Sequence, residues 1–325
     1  MISPLIFKDI YKDKIWGGPG IGRLKGLSIP DNIGESFEVS GLPGDESVVA
    51  EGEFEGQTLR QLTSRFGSRL VGAQNFARFG TDFPLLVKFI SAGRDLSLQV
   101  HPDDAMAHTM GHPYGKNEMW FIVEADPESH ICAGFSCGFS ETQYLVALAH
   151  NNLGDHVNVA DTHPGDCFYI PAGCIHAIGG GNLLIEIQQS SDDTFRVYDY
   201  DRVDANGHKR ELHIEQARHA LNFDERPSTR TDYPRDVEGA VPLVSCASFT
   251  TRACRFTASG TLDYAALDSF VIFTVYSGEG LFTDAVGNVL HLRAGRSALF
   301  PAENPAVSVE PLGGAPCCFL EASIP

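Results

Sequence analysis

Short apolar-rich runs recur along the chain and are separated by glycine and proline, which number 33 and 18 and are scattered throughout. Short runs broken by turn-forming residues are typical of strands in a β-sandwich or barrel. The pattern predicts strands at Leu85–Ile90, Leu96–Val100, Met119–Val123, Cys167–Ile170, Leu183–Gln188, Phe195–Tyr198, Phe270–Tyr276, Val289–Leu292 and Ala298–Phe300. We therefore expect a mainly β fold.

A few helical stretches interrupt the predicted strands. They cover Leu59–Phe66, Ser140–His150 and His213–Leu221. In the second stretch, Ser140 and Gln143 have the spacing of a capping box, in which each side chain bonds the backbone N–H of the other residue. Pro102, Asp103 and Asp104 also suit the first turn of a helix. We expect these helices to be short.

One internal similarity relates a string in the middle of the chain to one near its C-terminus. The string Gly165-Asp-Cys-Phe-Tyr-Ile-Pro171-Ala can be aligned with Gly295-Arg-Ser-Ala-Leu-Phe-Pro301-Ala. Both copies hold a turn glycine, a strand, and a proline that ends the pairing of that strand. The first copy continues to His176, whereas the second has Ala306 at that position. The match predicts two related β-barrels, the second degenerate; a chance match of two short strings is the alternative.

The segment between the two β-rich parts is charged, contains Pro227 and Pro234, and has no clear period. This composition is typical of a linker or a surface crossing. We expect a first domain with helical insertions at residues 1–225, a linker at 226–240 and a degenerate C-terminal domain at 241–325. The second domain should serve packing or an interface and bind no metal.

The chain is acidic, since 24 lysines and arginines face 42 aspartates and glutamates and the formal net charge is −18. An acidic chain has no general electrostatic reason to bind nucleic acid or an anionic membrane surface, so we expect neither partner. No run approaches the roughly 18 apolar residues of a membrane span. Any anionic substrate must be held by a few cations placed locally.

The cysteines and the N-terminus bear on the compartment. None of the eight cysteines forms a Cys-x-x-Cys pair: Cys132, Cys137, Cys167, Cys174, Cys246, Cys254, Cys317 and Cys318. The start of the chain has no basic region followed by an apolar stretch, so no secretory signal is visible. We expect reduced, buried thiols in a cytoplasmic protein, with a disulfide framework as the alternative.

Mixed nitrogen and oxygen donors occur in three motifs. Gln99 and His101 precede Pro102, and because the residue before proline favours extended backbone, both side chains should lie on one face of a strand end. Glu118 begins an apolar strand, and His176 follows a Pro-x-Gly turn. Each residue alone is more often structural than functional. Their co-occurrence predicts a site for a divalent ion with an open coordination position.

These residues also carry a family resemblance. Pro171-Ala-Gly-Cys-Ile-His176 is similar to the second cupin motif. Seven strings, in order, resemble the signature of type I mannose-6-phosphate isomerases in their short bacterial form: Tyr11-Lys-Asp-Lys-Ile-Trp-Gly-Gly18, Ile33-Gly-Glu-Ser-Phe-Glu-Val-Ser40, Phe83-Pro-Leu-Leu-Val-Lys-Phe-Ile90, Leu98-Gln-Val-His-Pro-Asp-Asp104, Gly115-Lys-Asn-Glu-Met-Trp120, Gly173-Cys-Ile-His-Ala-Ile178 and Thr194-Phe-Arg-Val-Tyr-Asp-Tyr200. Phe37 and Met119 depart from the pattern only by apolar exchanges. The large helical insertion of eukaryotic members is missing.

The resemblance implies two cupin-type (jelly-roll) β-barrels, of which the C-terminal one is degenerate. It implies one Zn²⁺ per chain with four ligands, Gln99, His101, Glu118 and His176. It also implies that Arg196 lies in the active site and that Lys88 and Lys116 lie in the same pocket. The implied activity is the interconversion of two sugar phosphates, mannose 6-phosphate and fructose 6-phosphate, through an enediol(ate). The assembly would be a monomer or a homodimer.

Several alternatives stay open at the level of the sequence. The catalytic base could be a zinc-bound water, a lysine with a lowered pKa, or His112. Arg196 could bind the phosphate or stabilise the enediolate; taken alone, it would be expected to pair with Asp192 or Asp193. A non-catalytic sugar-binding or regulatory cupin and another metal-dependent cupin enzyme, such as an iron oxygenase, are competing functions. The string Gln99-Val-His101 argues against the oxygenase, because cupins usually have His-x-His there.

Overall fold

The computed structural model describes residues 1–136, 138–203, 207–223 and 230–325. The first part of the chain runs through β1 (Ile10–Asp13), α1 (Gly20–Lys25), β2 (Ile33–Ser40), α2 (Leu59–Phe66), α3 (Ser68–Val71), α4 (Ala73–Phe79), β3 (Leu85–Ala92), β4 (Leu98–Val100), α5 (Asp104–Thr109), β5 (Glu118–Ala125), β6 (His130–Phe135), α6 (Glu141–Ala149), a 3₁₀ helix (Leu153–His156), β7 (Val157–Asp161), β8 (Cys167–Ile170), β9 (His176–Ile178), β10 (Asn182–Gln189), β11 (Phe195–Tyr198) and α7 (Ile214–Ala220). The second part holds β12 (Gly239–Ser245), β13 (Thr250–Phe256), β14 (Gly260–Asp263), β15 (Val271–Ser277), β16 (Glu279–Asp284), β17 (Val289–Arg293), β18 (Ser297–Phe300), β19 (Ala306–Pro311) and β20 (Cys317–Ser323). The expected mainly β fold with short helices is confirmed. In the described ranges, no helix combines the length and apolarity needed to cross a bilayer.

Each part consists of two antiparallel sheets that share a core. In the first part the strand orders are β1-β2-β3-β10-β5-β8 and β11-β4-β9-β6-β7. In the second part they are β12-β13-β20-β15-β18 and β14-β19-β16-β17. Ile90 and Ile178, from opposite sheets, belong to one buried cluster of the first part. Phe273 and Phe282 join the two sheets of the second part, with ring centroids 5.5 Å apart.

The two parts have the same topology. Without β1 and β11, every strand of the first part has a counterpart at the same place in the second. The aligned strands β8 and β18 are both edge strands, and Gly165 and Gly295 precede them with φ of 84° and 83°. Glycine reaches this left-handed region at no steric cost. His176 and Ala306 begin the equivalent strands β9 and β19. The repeat in the sequence is therefore a structural repeat.

A shared hydrophobic core lies between the two parts. Phe83 packs on Phe270 with ring centroids 4.6 Å apart, and Phe121 packs on Tyr276 at 4.7 Å. Strands β3 and β10 are buried along their whole length, because one face of their sheet contacts the second part and the other face contacts the core of the first. Burial on both faces explains their nearly continuous apolar sequence. The domain boundaries at 225 and 241 stay a prediction.

Local side-chain bonds fix two helix starts near the expected positions. The hydroxyl of Ser140 accepts the backbone N–H of Gln143, and the side chain of Gln143 returns the bond, so the predicted capping box before α6 is confirmed. Asp103 caps α5 by accepting the backbone N–H of Met106 at 2.7 Å. This cap fixes the chain directly after His101.

The predicted linker is partly described. Its residues 226–229 lie outside the described ranges. After them, the hydroxyl of Tyr233 donates to the carbonyl of Gly165 at 2.7 Å, and Arg235 pairs with Asp166 at 2.6 Å. The described portion of the crossing is thus bonded to the turn before β8.

Candidate metal centre

Three buried side chains converge where β4, β5 and β9 end or begin. His101 follows β4, Glu118 is the first residue of β5, and His176 is the first residue of β9. Strand pairing brings β4 and β9 together, because Gln99 in β4 is the register partner of His176. The donor atoms of the two histidines and Glu118 all lie within 4.8 Å of one another.

The two imidazole rings present Nε2 to each other at 3.1 Å. Nδ1 of His101 donates to the carbonyl of Asp193 at 2.6 Å, and Nδ1 of His176 donates to the carbonyl of Cys174 at 2.9 Å. Because a carbonyl only accepts, each Nδ1 carries the proton and each Nε2 keeps a lone pair. Burial lowers the pKa of both rings, to about 3 for His101, so both are neutral at neutral pH.

Glu118 faces both histidines. Its Oε2 lies 3.3 Å from Nε2 of His101, and its Oε1 lies 3.3 Å from Nε2 of His176. Burial alone would raise the pKa of Glu118, but the charge of Lys116, with Nζ 2.6 Å from Oε2, outweighs it and holds the pKa well below the usual range. The carboxylate is therefore charged. Within the described ranges, its Oε1 has no hydrogen-bond partner.

This donor set fits a divalent metal ion. Two neutral imidazole lone pairs only 3.1 Å apart repel each other unless a cation or a proton lies between them, and an unpaired carboxylate oxygen faces the same point. The side-chain amide nitrogen of Gln99 lies 3.3 Å from Nε2 of His176, and a half-turn of the amide would present its oxygen there. The structure thus brings together the expected ligands His101, Glu118 and His176, with Gln99 beside them.

A polar cleft opens next to these ligands. Its inner part has a volume of about 120 Å³ and its outer part about 470 Å³. Of the residues that the structure describes, six line both parts: Lys14, Glu35, Lys88, Lys116, Thr194 and Arg196. The three cations expected from the sequence, Lys88, Lys116 and Arg196, therefore meet in one cleft beside the candidate metal ligands.

The two lysines are held differently. Nζ of Lys116 lies 2.9 Å from Nε2 of His101 and 2.6 Å from Glu118, so it contacts the ligands directly. Nζ of Lys88 lies between two carboxylates, 3.1 Å from Glu35 and 3.0 Å from Glu186. Lys88 is thus linked to the ligands through Glu186 and Lys116, whose charged atoms lie 3.8 Å apart, while Lys116 contacts the ligands directly.

Arg196 stands opposite Gln99 in the pairing of β11 with β4. Its Nε donates to the hydroxyl of Ser97 at 3.2 Å, and its Nη1 donates to the carbonyl of Glu211 at 2.9 Å. Burial and the nearby charge of Arg210 lower the pKa of Arg196. A guanidinium held by neutral acceptors beside a second cation lies in a field that attracts an anion.

The ion pair that Arg196 would be expected to form if taken alone is not found. Within the described ranges, no carboxylate lies in salt-bridge distance of Arg196. The carboxylate of Asp193 instead bonds His112, with Oδ2 2.6 Å from Nδ1. The guanidinium therefore keeps its charge available to the cleft.

Two carboxylates of the cleft were missed in the sequence. Glu35 lies in β2 and Glu186 in β10, and both are buried. Glu186 also accepts the indole N–H of Trp120 at 3.0 Å. The available signal was a carboxylate inside an apolar strand, Leu-Leu-Ile-Glu-Ile, since buried carboxylates are rare unless paired.

Fold and site together define a class: a cupin-type protein with a buried His–Glu–His group suited to a metal ion, beside a cationic cleft. The family model described as phosphomannose isomerase type I, catalytic domain, matches residues 5–131. Mannose-6-phosphate isomerase ManA of Bacillus subtilis (strain 168) is 34% identical over 283 residues, covering 86% of this chain and 87% of that protein. A mannose-6-phosphate isomerase of Streptococcus mutans serotype c is 32% identical over 284 residues, covering 87% and 88%.

A solved structure agrees with these relatives. The crystal structure of the mannose 6-phosphate isomerase from Bacillus subtilis superposes with a TM-score of 0.86 at 30% identity and covers 99% of both chains. This chain belongs to the type I phosphomannose isomerase family. The family resemblance, the cupin-type fold and an enzyme of this kind, all expected from the sequence, are confirmed.

Proposed function

We propose that the chain interconverts mannose 6-phosphate and fructose 6-phosphate through an enediol(ate), with one Zn²⁺ per chain. The observation that carries this proposal is the pair of imidazole lone pairs and the unpaired oxygen of Glu118, which face one point at the edge of a cationic cleft. Family membership supplies the substrate class.

Gln99, His101, Glu118 and His176 would hold the ion. Neutral imidazole nitrogen together with carboxylate and amide oxygen suits Zn²⁺, and a set of protein ligands at a cleft leaves room for an exchangeable position. When bound, the ion supplies stabilisation of the negative charge that develops on the sugar oxygens.

The cations of the cleft suit two different roles in the reaction. Isomerisation moves a proton between C1 and C2 and needs a cation near the oxygen that becomes negative. Lys116, in contact with Glu118, is the cation nearest to the proposed ligands and suits that place. Arg196 has no carboxylate partner in the described ranges and suits the phosphate, because guanidinium can bond phosphate in a bidentate manner.

The charge of the whole chain supports a local mode of binding. A protein with a net charge of −18 repels distant anions, so a dianionic sugar phosphate must be held inside the cleft. Lys88, Lys116 and Arg196 gather there, and Lys14 lies beside them. We therefore propose that recognition of the phosphate takes place within this cleft and not over an extended basic surface.

A coupled assay tests the proposal. Protein loaded with Zn²⁺ is incubated with mannose 6-phosphate, and fructose 6-phosphate is measured before chelation, after chelation and after Zn²⁺ is returned. We expect turnover that disappears with the chelator and returns with the ion. No turnover by the loaded protein would overturn the proposed activity, and binding of the sugar phosphate without turnover would favour the non-catalytic cupin. Turnover that survives complete metal removal would overturn only the role of the ion.

Two glutamate variants distinguish a proposed metal ligand from a nearby buried carboxylate. Glu118→Gln removes a proposed ligand, whereas Glu186→Gln changes a second buried carboxylate that contacts the lysines and Trp120. We expect the first variant to lose bound Zn²⁺ by elemental analysis and the second to retain it. Equal metal content in both variants would argue against Glu118 as a ligand.

We also propose a cytoplasmic location and a monomeric or homodimeric assembly. Cys132, Cys167 and Cys254 are buried free thiols, as suits a reducing compartment. Cell fractionation and light scattering of the purified protein test these two statements.

A further inference from the structure

The second ring nitrogen of His101 is held by a loop that lies far away in the sequence. Nδ1 of His101 donates to the backbone carbonyl of Asp193, which lies between β10 and β11, at 2.6 Å. In metal sites, the bond made by the second nitrogen of a histidine ligand fixes the orientation and tautomer of the ring. The position of one carbonyl therefore determines where Nε2 of His101 points.

The side chain of Asp193 is in turn held by His112. Nδ1 of His112 donates to Oδ2 of Asp193 at 2.6 Å, across 81 positions of sequence. The backbone N–H of Asp193 makes a longer bond, 3.3 Å, to the hydroxyl of Ser191. The bond from His112 is thus the shorter of these two restraints on the residue whose carbonyl orients His101.

His112 is anchored near His101. Its backbone N–H donates to the carbonyl of Ala107 at 2.9 Å, and the side chain of His108 bonds the carbonyl of Pro113 at 2.9 Å. Both Ala107 and His108 lie in α5, which begins three residues after His101. The segment from His101 to His112 therefore closes on Asp193 at two points. We call this pair of contacts the His112–Asp193 clasp.

The exposure of His112 sets this clasp apart from the packing of the core. The side chain of His112 is 49% exposed, whereas that of Asp193 is 15% exposed. Exchange of a half-exposed side chain normally has little effect on the free energy of unfolding. A substitution at His112 can thus report on the site without unfolding the protein.

We propose that His112 is a positioning residue, which fixes Asp193 so that its carbonyl orients His101 toward the metal ion. This inference rests on the proposed metal site and adds to it a residue that does not touch the ion. Loss of a direct partner of a metal ligand typically costs about 10- to 100-fold in metal affinity. His112 acts one bond further out, so we expect an effect at the lower end, about tenfold.

Zn²⁺ affinity and a spectrum test the clasp. The dissociation constant is measured by competition with a chromogenic chelator, and the visible absorption of the Co²⁺-loaded protein reports the geometry at the ion. His112→Leu should raise the dissociation constant about tenfold and shift the Co²⁺ bands. His112→Asn should restore both, because its amide nitrogen lies close to the place of Nδ1 and still donates.

The matched control is another exposed histidine–carboxylate pair. Nε2 of His291 lies 2.8 Å from Glu279, and both side chains are exposed. His291→Leu should leave the Zn²⁺ affinity and the Co²⁺ spectrum unchanged, and the metal-free melting temperature of all variants should stay close to that of the wild type. Wild-type affinity and spectrum in His112→Leu would overturn the inference and leave the metal site intact. Failure of the wild type itself to bind Zn²⁺ would overturn both.

Discussion

Lys88 and Glu186 are direct register partners on the neighbouring strands β3 and β10, and Nζ of the lysine lies 3.0 Å from Oε1 of the glutamate. Glu35 approaches the same Nζ from the other side at 3.1 Å. Burial alone would lower the pKa of Lys88, but the two carboxylates outweigh it and raise the pKa above its ordinary value. Lys88 therefore stays protonated, which argues against it as the catalytic base and for it as the cation that holds two carboxylates in place.

Replacement of Lys88 tests this arrangement. Lys88→Met leaves Glu35 and Glu186 buried without the cation between them, and removal of one partner from a buried ion pair typically costs about 3–5 kcal/mol. We expect the free energy of unfolding, measured in urea, to fall by about that amount. Lys12→Met is the control, because Lys12 and Asp45 form an ion pair with side chains 31% and 32% exposed. Its loss should cost at most about 1 kcal/mol. Equal effects of the two substitutions would contradict the buried network.

The carboxylate of Glu35 predicts a pH dependence. Burial alone would raise its pKa, but Lys88 and Lys14 lower it from 4.5 to about 2. Because the pKa of Glu35 is depressed in the folded state, its charged carboxylate stabilises the fold. This stabilisation is fully present above the unfolded-state pKa and disappears as the pH falls toward 2. The difference in the free energy of unfolding between the wild type and Glu35→Gln should therefore shrink as the pH decreases below 4.5. A difference that stays constant down to about pH 3 would show that ionisation of Glu35 does not stabilise the fold.

Arg196 tests the proposed binding of phosphate. Arg196→Ala removes a charge-assisted contact of about 1.5–3 kcal/mol, which corresponds to roughly 10- to 100-fold in kcat/KM for mannose 6-phosphate. A change confined to KM would assign Arg196 to binding, and a change in kcat would assign it to stabilisation of the enediolate. Arg69→Ala is the control, since Arg69 is 55% exposed, pairs with Glu303 and lies outside the cleft. Wild-type kcat/KM in Arg196→Ala would remove the residue from the mechanism.

Much of the fold could be predicted from the sequence because the signals were local. The apolar runs predict β3, β8 and β10, and the glycine and proline of the internal repeat predict β8 and β18 at equivalent places. Strand order could not be predicted, because it depends on pairing between distant segments. Helix α1 was missed since its six residues include Gly20 and Gly22, which have low helix propensity.

The candidate site likewise combines residues that could be predicted from local motifs with residues that could not. His101, Glu118 and His176 lie in compact motifs, so their convergence could be expected. The roles of Glu35 and Glu186 could not, because a carboxylate in an apolar strand gains its role only from a lysine on another strand. The bond between His112 and Asp193 joins loops 81 positions apart and is equally invisible in the sequence. Local motifs therefore identify the proposed ligands, while the charges and bonds that position them depend on the tertiary structure.

The C-terminal sheets lead to the last prediction, which concerns the shared core. Removal of the chain beyond about residue 235 would uncover the face of β3 and β10 that packs on Phe270 and its neighbours, and a large exposed apolar patch favours aggregation. We expect the truncated protein to be insoluble.

A milder test is Phe270→Ala, because Phe270 is fully buried against Phe83, and loss of a buried phenylalanine side chain costs about 3–5 kcal/mol. Val286→Ala, at a side chain 59% exposed, should change stability by no more than about 0.5 kcal/mol. A soluble, fully active truncated chain would show that the second part is dispensable for the first. In that case, the loss in free energy of unfolding of Phe270→Ala measures how strongly the two parts are coupled.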